Sequence, residues 1–199
     1  NKVYDGTTTA TVGSASKDGL VTNDVVNISS LPSGFTFAEA IKGDEIVVTA
    51  DGLYGIDGGD KDNYALVQPT FEADITAKPL TVDVVAANKV YDGTTAATLG
   101  TTDLVGTVGN DVVSVATVPN DVTFAAATAG SDVVVTVVGD YTLAGADKDN
   151  YSVTGPASYS ADITKIALTV DAVAVNKIYD AEFEATVTLT GLVGVVSGE

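Results

Sequence analysis

The 199-residue chain contains 27 acidic and nine basic residues, which gives a formal net charge of −18 at pH 7. Such a surface repels phosphates and anionic lipids, so neither nucleic acids nor membranes are expected partners. The chain has no cysteine and can form neither disulfides nor thiolate metal sites.

Valine, threonine, alanine and glycine dominate the composition, whereas leucine, glutamate, lysine and arginine, the usual helix formers, are scarce. This composition predicts an all-β chain. No stretch approaches the ~20 consecutive apolar residues of a membrane-spanning helix, so membrane insertion is not expected.

An eight-residue motif organises the sequence. Asn-Lys-Val-Tyr-Asp-Gly-Thr-Thr begins at Asn1 and at Asn88, and a variant, Asn-Lys-Ile-Tyr-Asp-Ala, begins at Asn176. The spacings of 87 and 88 residues define a repeat, and a fixed period is typical of tandem modules. The recurring motif residues are Tyr4, Asp5, Gly6, Tyr91, Asp92, Gly93, Tyr179 and Asp180.

Three shorter motifs recur in phase with the first. Asp-Lys-Asp-Asn-Tyr ends at Tyr64 and Tyr151, Ala-Asp-Ile-Thr ends at Thr76 and Thr164, and Leu-Thr-Val-Asp begins at Leu80 and Leu168. The period predicts three repeats: repeat 1 (1–77), which lacks its first strand, the complete repeat 2 (78–165) and the partial repeat 3 (166–199). At close to 88 residues, a full repeat is long enough to bury a core of its own.

Short strands are predicted along each repeat. In repeat 1 they are expected at 7–12, 24–29, 35–37, 45–49, 64–67 and 71–75, with counterparts in repeat 2. The run 132–138 is apolar on both faces, which is typical of a central sandwich strand.

This pattern predicts tandem antiparallel β-sandwich (Ig-like) repeats of about 87–88 residues. A β-grasp unit is the alternative fold, and it requires a helix within 36–43 or 123–130. Residues 38–43 and their counterpart 125–130 are the only stretch of each repeat expected to hold a helical turn, and the glycine that ends the stretch limits it to one. The linkers between consecutive repeats are only two or three residues long. Such short linkers restrict bending, so the repeats are expected to form an extended rod.

The incomplete end repeats suggest two alternatives. Repeat 3 contains only two strands, and a lone hairpin is marginally stable in water. Because repeat 1 lacks a strand of the kind that 168–175 supplies, strand addition could join copies head to tail. The alternative is plain truncation of a longer array.

An acidic loop recurs before Tyr64 and Tyr151. Carboxylate oxygens in flexible loops suit calcium, and the candidate ligands are Asp57, Asp60, Asp62, Asp147 and Asp149. The alternative is an Asx-turn in which Asn63 and Asn150 cap the start of a strand. No other cofactor is expected.

The recurring tyrosines and lysines also have two interpretations each. Tyr64 and Tyr151 could form a face that stacks on host or matrix glycans; alternatively, each ring packs at the core edge and its hydroxyl bonds to the backbone. Lys2, Lys89 and Lys177 recur, as do Asp74 and Asp162, and a buried lysine could form an isopeptide bond with an asparagine or aspartate beside a carboxylate; the alternative is ordinary exposed lysines. Without histidine or cysteine the common general base is missing, so the chain is not expected to be an enzyme.

The chain resembles the YDG-type repeats of large bacterial surface adhesins and filamentous-haemagglutinin-like exoproteins. The resemblance lies in three motifs: Asn-Lys-Val-Tyr-Asp-Gly-Thr-Thr, Asp-Asn-Tyr and Ala-Asp-Ile-Thr. The resemblance covers both full repeats and the start of the third. It implies an extracellular location, at the cell surface or secreted, and a structural role as a stalk or self-assembling filament, for example in a biofilm matrix. The alternative is a glycan- or calcium-binding adhesion module. No catalytic residue is implied.

Ala181 departs from the pattern because it replaces the motif glycine, which puts the turn of repeat 3 in question.

Overall fold

A computed structural model describes residues 1–100 and 102–199. The first half contains β1 (Lys2–Val3), β2 (Thr9–Ala10), β3 (Asn27–Ser30), β4 (Phe35–Phe37), β5 (Gly43–Ala50), β6 (Gly55–Asp57), β7 (Phe71–Thr76), β8 (Lys78–Asp83) and β9 (Lys89–Val90). The second half contains β10 (Asp103–Val105), β11 (Ser114–Thr117), β12 (Asp121–Phe124), β13 (Gly130–Val138), β14 (Thr142–Ala144), β15 (Tyr151–Thr154), β16 (Ser158–Thr164), β17 (Thr169–Val175) and β18 (Thr186–Val193). Two single 3₁₀ turns lie at Lys61–Asn63 and Lys148–Asn150. The prediction of an all-β, sandwich-like fold is confirmed.

Repeats 1 and 2 each build one large sheet, and four strands follow the same order in both sheets. The strand order is β1-β7-β5-β4-β2 in repeat 1 and β9-β16-β13-β12 in repeat 2. The motif strand pairs in parallel with the strand of Ala-Asp-Ile-Thr, since Lys2 lies opposite Ile75 and Lys89 lies opposite Ile163. The sheets are therefore mixed rather than purely antiparallel.

Four smaller sheets accompany the large ones in the described residues. They are the three-stranded sheet β10-β8-β15, in which β8 and β15 run parallel, and the pairs β3-β6, β11-β14 and β17-β18. The β17-β18 hairpin is exposed along its whole length.

Contacts divide the chain into two compact units, and neither follows the repeat boundaries. The first unit comprises Asn1–Thr81, Leu104–Ala116 and Thr142–Thr154; the second comprises Val82–Asp103, Thr117–Tyr141 and Gly155–Glu199. The predicted boundaries 1–77, 78–165 and 166–199 describe the period of the sequence and stay a prediction.

The core of the first unit combines two repeats. Tyr4, Phe37, Val48 and Ile75 of repeat 1 pack with Leu80 and Tyr151 of repeat 2, and all six are buried. The large sheet of repeat 1 thus forms a sandwich with strands of repeat 2, whereas the sequence predicted that each repeat buries its own core.

The second unit has its own apolar core. The buried residues are Ala86, Val122, Phe124, Val135, Val137, Ala161 and Ile163. On β13, which lies in the interior of its sheet, Val135 and Val137 are buried, but Val134 and Val138 are exposed. The prediction of a central strand is therefore confirmed, although only one of the two apolar faces of this strand is covered.

The helix required by the β-grasp alternative is absent from 36–43 and 123–130, which contain parts of β4, β5, β12 and β13. The expectation that 38–43 and 125–130 are the only places for a helical turn is also wrong, since both 3₁₀ turns lie in the acidic loops. Among the described residues, no helix is both long enough and apolar enough to pass through a membrane.

Candidate functional site: the joint between repeats

The recurring motif folds into a lysine-clamped turn. The Lys2 Nζ donates to the Asp5 carboxylate at 2.7 Å and to the Thr7 carbonyl at 2.7 Å, and the Thr7 amide donates to Asp5 at 2.9 Å. Gly6 takes a φ of 75°, a left-handed conformation that favours glycine. The hydrogen bonds from Lys2 and from the Thr7 amide lower the pKa of Asp5 to about 2.

Repeat 2 forms the same turn with the same dimensions. Lys89 donates to Asp92 at 2.7 Å and to the Thr94 carbonyl at 2.7 Å, and Gly93 has a φ of 75°. The hydrogen bonds from Lys89 and from the Thr94 amide lower the pKa of Asp92 to about 2. The turn is thus a local product of the motif sequence.

The third copy keeps this turn despite its altered sequence. Lys177 lies 2.8 Å from Asp180, and Ala181 takes the left-handed conformation with a φ of 65°. The hydrogen bond from Lys177 lowers the pKa of Asp180. Alanine pays a steric cost in this conformation that glycine avoids.

The turn directs Tyr4 of repeat 1 onto two residues of repeat 2. The Tyr4 hydroxyl donates to the Asp111 Oδ2 at 2.8 Å, and the Tyr151 hydroxyl donates to the same oxygen at 2.6 Å. The two rings meet edge to face with centroids 5.4 Å apart, and each tyrosine is 6% exposed. We call the set of Tyr4, Asp111 and Tyr151 the repeat joint.

Both tyrosines of the joint are protonated donors at neutral pH. Burial, followed by the hydrogen bond to Asp111, raises the pKa of Tyr4 to about 12. The same two causes raise the pKa of Tyr151. The carboxylate of Asp111 therefore accepts two hydrogen bonds, and bonds to a charged acceptor are stronger than neutral ones.

Parts of the joint recur one period away on either side. In repeat 1, the Tyr64 hydroxyl donates to Asp24 at 2.7 Å and accepts the Val21 amide at 2.9 Å. In repeat 2, Tyr151 accepts the Val108 amide at 2.8 Å in the same way. In the second compact unit, Tyr91 donates to Glu199, which stands 88 positions after Asp111. The joint is therefore as periodic as the sequence.

The acidic loops are engaged in local bonds. Asp60 accepts the Val25 amide and Asp147 accepts the Val112 amide, each at 2.8 Å. Asp62 and Asp149 lie 2.6 Å from the neighbouring Lys61 and Lys148, and Asp57 is exposed in β6. Across residues 1–100 and 102–199, no group of three or more such side chains has an arrangement that could hold a metal ion.

The asparagines of these loops do not share one role. Asn150 is buried, and its Oδ1 accepts the Lys42 amide at 2.9 Å within the first compact unit. Asn63 is exposed. The Asn150 contact joins the loop of repeat 2 to the 38–43 stretch of repeat 1 and so adds a second link between the repeats.

The two candidate glycan-stacking tyrosines lie in different surroundings. Tyr151 belongs to the core of the first unit, so its ring offers almost no free face. Tyr64 is half-buried and lines a surface groove of repeat 1. The structure does not bring the two side chains together in one exposed face.

The recurring lysines and aspartates also lie apart. Lys2 and Lys89 bind Asp5 and Asp92, whereas Asp74 and Asp162 accept the amides of Glu45 and Asp132 at 3.0 and 2.9 Å. Glu45 and Asp132 have a φ of 51° where the β5–β7 and β13–β16 registers shift, so Asp74 and Asp162 cap β-bulges.

Asp111 and Asp24 were not singled out as site residues in the sequence. The available signal was the recurrence of Asn-Asp-Val-Val at Asn23 and Asn110, which is in phase with the tyrosine motifs. The hydrogen bond between Tyr4 and Asp111 could not be predicted from local sequence patterns, because the two residues are 107 positions apart.

A scan against protein-family models matched the YDG domain over residues 1–71 and again over residues 76–161. No curated protein and no solved structure matches the chain. The two matches cover well over half of the sequence and include the Tyr-Asp-Gly turns and the tyrosines of the joint. The chain belongs to the YDG domain family.

Proposed function

We propose that the chain is a structural repeat segment of an extracellular bacterial adhesin or fibre, in which successive YDG repeats are held in tandem as a stalk or filament. The observation that carries the proposal is the repeat joint. A buried, hydrogen-bonded contact between consecutive repeats restricts their motion more than a flexible linker does.

The periodic residues support a mechanical role. Tyr4, Asp111 and Tyr151 bind one another, and Lys2 and Lys89 clamp the turns that position the motif tyrosines. The carboxylates of the acidic loops bind backbone amides or lysines. These contacts favour repeat-to-repeat bonding over a calcium- or glycan-binding module.

Charge and location fit the same proposal. The net charge of −18 keeps a long polymer soluble, and a chain without cysteine needs no particular redox environment. The resemblance to repeats of surface adhesins supports a cell-surface or secreted location.

Small-angle X-ray scattering tests the stalk directly. A compact 199-residue chain has a radius of gyration of about 16 Å. We expect a clearly larger value for the monomer, with a distance distribution that has a long tail. A radius of gyration of about 16 Å with a symmetric distribution would contradict the proposal.

A further inference from the structure

Tyrosine is the side chain of this protein that is most open to oxidation. The sequence contains eight tyrosines but no cysteine, methionine, tryptophan or histidine. Those four residue types are the ones that otherwise compete with tyrosine for oxidants. An oxidant that removes single electrons from the chain is therefore expected to produce tyrosyl radicals.

Two pairs of tyrosines lie close to each other in the described residues. In the repeat joint, the rings of Tyr4 and Tyr151 meet with centroids 5.4 Å apart and an interplanar angle of 77°. In the second compact unit, the hydroxyl oxygens of Tyr141 and Tyr159 lie 3.2 Å apart. Contact between two rings is what a carbon–carbon bond between tyrosines requires, and the joint provides it.

The joint also orients the reactive ends of its two rings. Both hydroxyls bind the same atom, the Asp111 Oδ2, at 2.8 Å from Tyr4 and 2.6 Å from Tyr151. In a tyrosyl radical, the carbons ortho to the hydroxyl carry much of the unpaired electron density. These carbons lie at the ends of the rings that converge on Asp111, so two radicals formed there would meet at their reactive positions.

Asp111 supplies the base that the oxidation of a tyrosine needs. Removing an electron from a phenol makes its hydroxyl strongly acidic, so a hydrogen-bonded base that takes the proton makes the oxidation easier. The carboxylate of Asp111 is such a base, and it is only half-buried, so it can pass the proton on to solvent. In the pair of Tyr141 with Tyr159, the acceptor is a neutral hydroxyl, which is a much weaker base.

We infer that the repeat joint is an oxidative cross-linking site, at which Tyr4 and Tyr151 couple to form a dityrosine. The two residues belong to consecutive repeats, and both lie in the first compact unit. The inference rests on the proposed structural function, to which it adds a covalent bond between repeats in a chain that cannot form disulfides.

The coupling consumes two equivalents of a one-electron oxidant, such as the haem of a peroxidase. Each tyrosine gives one electron to the oxidant and its hydroxyl proton, through Asp111, to solvent. The two radicals form one bond between ortho carbons, and the hydrogen on each of these carbons is replaced by one on the phenol oxygen, which restores both aromatic rings. The chain loses two hydrogen atoms, and hydrogen peroxide, as the final electron acceptor, is reduced to two molecules of water.

Light-driven oxidation of the folded chain with tris(bipyridine)ruthenium and persulfate tests the site. Trypsin cleaves after lysine and places Tyr4 in peptide 3–17 and Tyr151 in peptide 149–165. In the monomer isolated after oxidation, we expect these two peptides to be joined, fluorescent as dityrosine and lighter by two hydrogen atoms than their sum. Tyr4→Phe should abolish this product, because phenylalanine keeps the ring but forms no phenoxyl radical.

Two further variants assign the bond to the joint, because peptide 149–165 also contains Tyr159. Tyr151→Phe should abolish the product, whereas Tyr159→Phe should leave it unchanged. A bond between Tyr159 and Tyr141 would instead join peptide 149–165 to peptide 90–148. A product that survives Tyr151→Phe and is lost in Tyr159→Phe would overturn the inference.

Substitutions of Asp111 test its role as the base. Asp111→Asn replaces the carboxylate with a neutral amide and should slow formation of the cross-link severalfold. Asp111→Glu keeps a carboxylate and should restore part of the rate. Circular dichroism of each variant checks that the fold is retained. A folded Asp111→Asn chain that reacts as fast as the unmodified chain would overturn the assignment of Asp111 as the proton acceptor.

Oxidation of the urea-unfolded chain is the control for chance encounters. Tyr4 and Tyr151 are far apart in sequence, so the joined peptides 3–17 and 149–165 should be a minor product there. Equal yields from the folded and unfolded chains, or no such product under conditions that oxidise the exposed Tyr179, would overturn the inference. Neither result would contradict the stalk, which small-angle scattering tests separately.

Discussion

At the scale of single residues, the chemistry of the chain converges on Asp111. This carboxylate accepts hydrogen bonds from two buried tyrosines, one from each repeat. A hydrogen bond to a charged group contributes about 1.5–3 kcal/mol to stability. Asp111 therefore concentrates much of the contact between the repeats in one side chain.

Tyr4→Phe removes one of these bonds and keeps the ring. We expect a loss of about 1.5–3 kcal/mol in the free energy of unfolding, measured by urea denaturation at pH 7. Tyr179→Phe is the matched control because Tyr179, the equivalent tyrosine of the third motif, is 90% exposed. If both variants lose the same small amount, the Tyr4 bond is not a stabilising contact.

The raised pKa of Tyr4 predicts loss of stability at alkaline pH. The pKa is about 12 in the folded chain and about 10 in the unfolded chain, so folding favours the protonated hydroxyl. This contribution is complete below pH 10 and disappears as the pH rises to about 12. Urea midpoints should fall across this interval, and less steeply in Tyr4→Phe. Identical slopes in the two chains would refute the assignment.

At the scale of elements, the sequence predicted the strands whose signal is local. The strands predicted at 45–49 and 132–138 correspond to β5 and β13, and Phe35–Phe37 is β4. The parallel pairing of β1 with β7 was not predicted, because it joins residues more than 70 positions apart. Tyr64–Val67 and Tyr151–Thr154 have related sequences, yet only the second is a strand, since β8 lies beside it.

The motif turn offers a test at this scale. Ala181 holds the left-handed conformation that glycine holds in repeats 1 and 2, so Ala181→Gly should stabilise the third turn by about 1 kcal/mol. Hydrogen exchange of the Glu182 amide, which binds Asp180, should slow about fivefold. Exchange that is unchanged or faster would show that the turn is not strained.

Gly6→Ala is the reverse experiment in repeat 1. Alanine at position 6 would have to adopt the unfavourable φ of 75°, and its Cβ would lie 3.0 Å from a methyl group of Val108. We expect a loss of at least about 1 kcal/mol in the free energy of unfolding. A neutral effect would mean that the turn relaxes to a conformation that alanine tolerates.

At the scale of the whole molecule, the unit of sequence and the unit of structure differ. The period is 87–88 residues, but the first compact unit combines the large sheet of repeat 1 with segments 104–116 and 142–154 of repeat 2. The large sheet of repeat 1 thus packs against strands that belong, by sequence, to repeat 2. The sequence period alone could not reveal that the structural unit is shifted relative to the repeat, because the length of the period is the same wherever the repeat boundary is placed.

A double-mutant cycle between Tyr4→Phe and Asp111→Ala measures the contact between the repeats most directly. We expect a coupling energy of about 1–3 kcal/mol in the free energy of unfolding, because the two side chains form one hydrogen bond across 107 positions of sequence. Additive effects, with a coupling energy near zero, would contradict the account, since the repeats would then be linked by the chain without being joined by this pair.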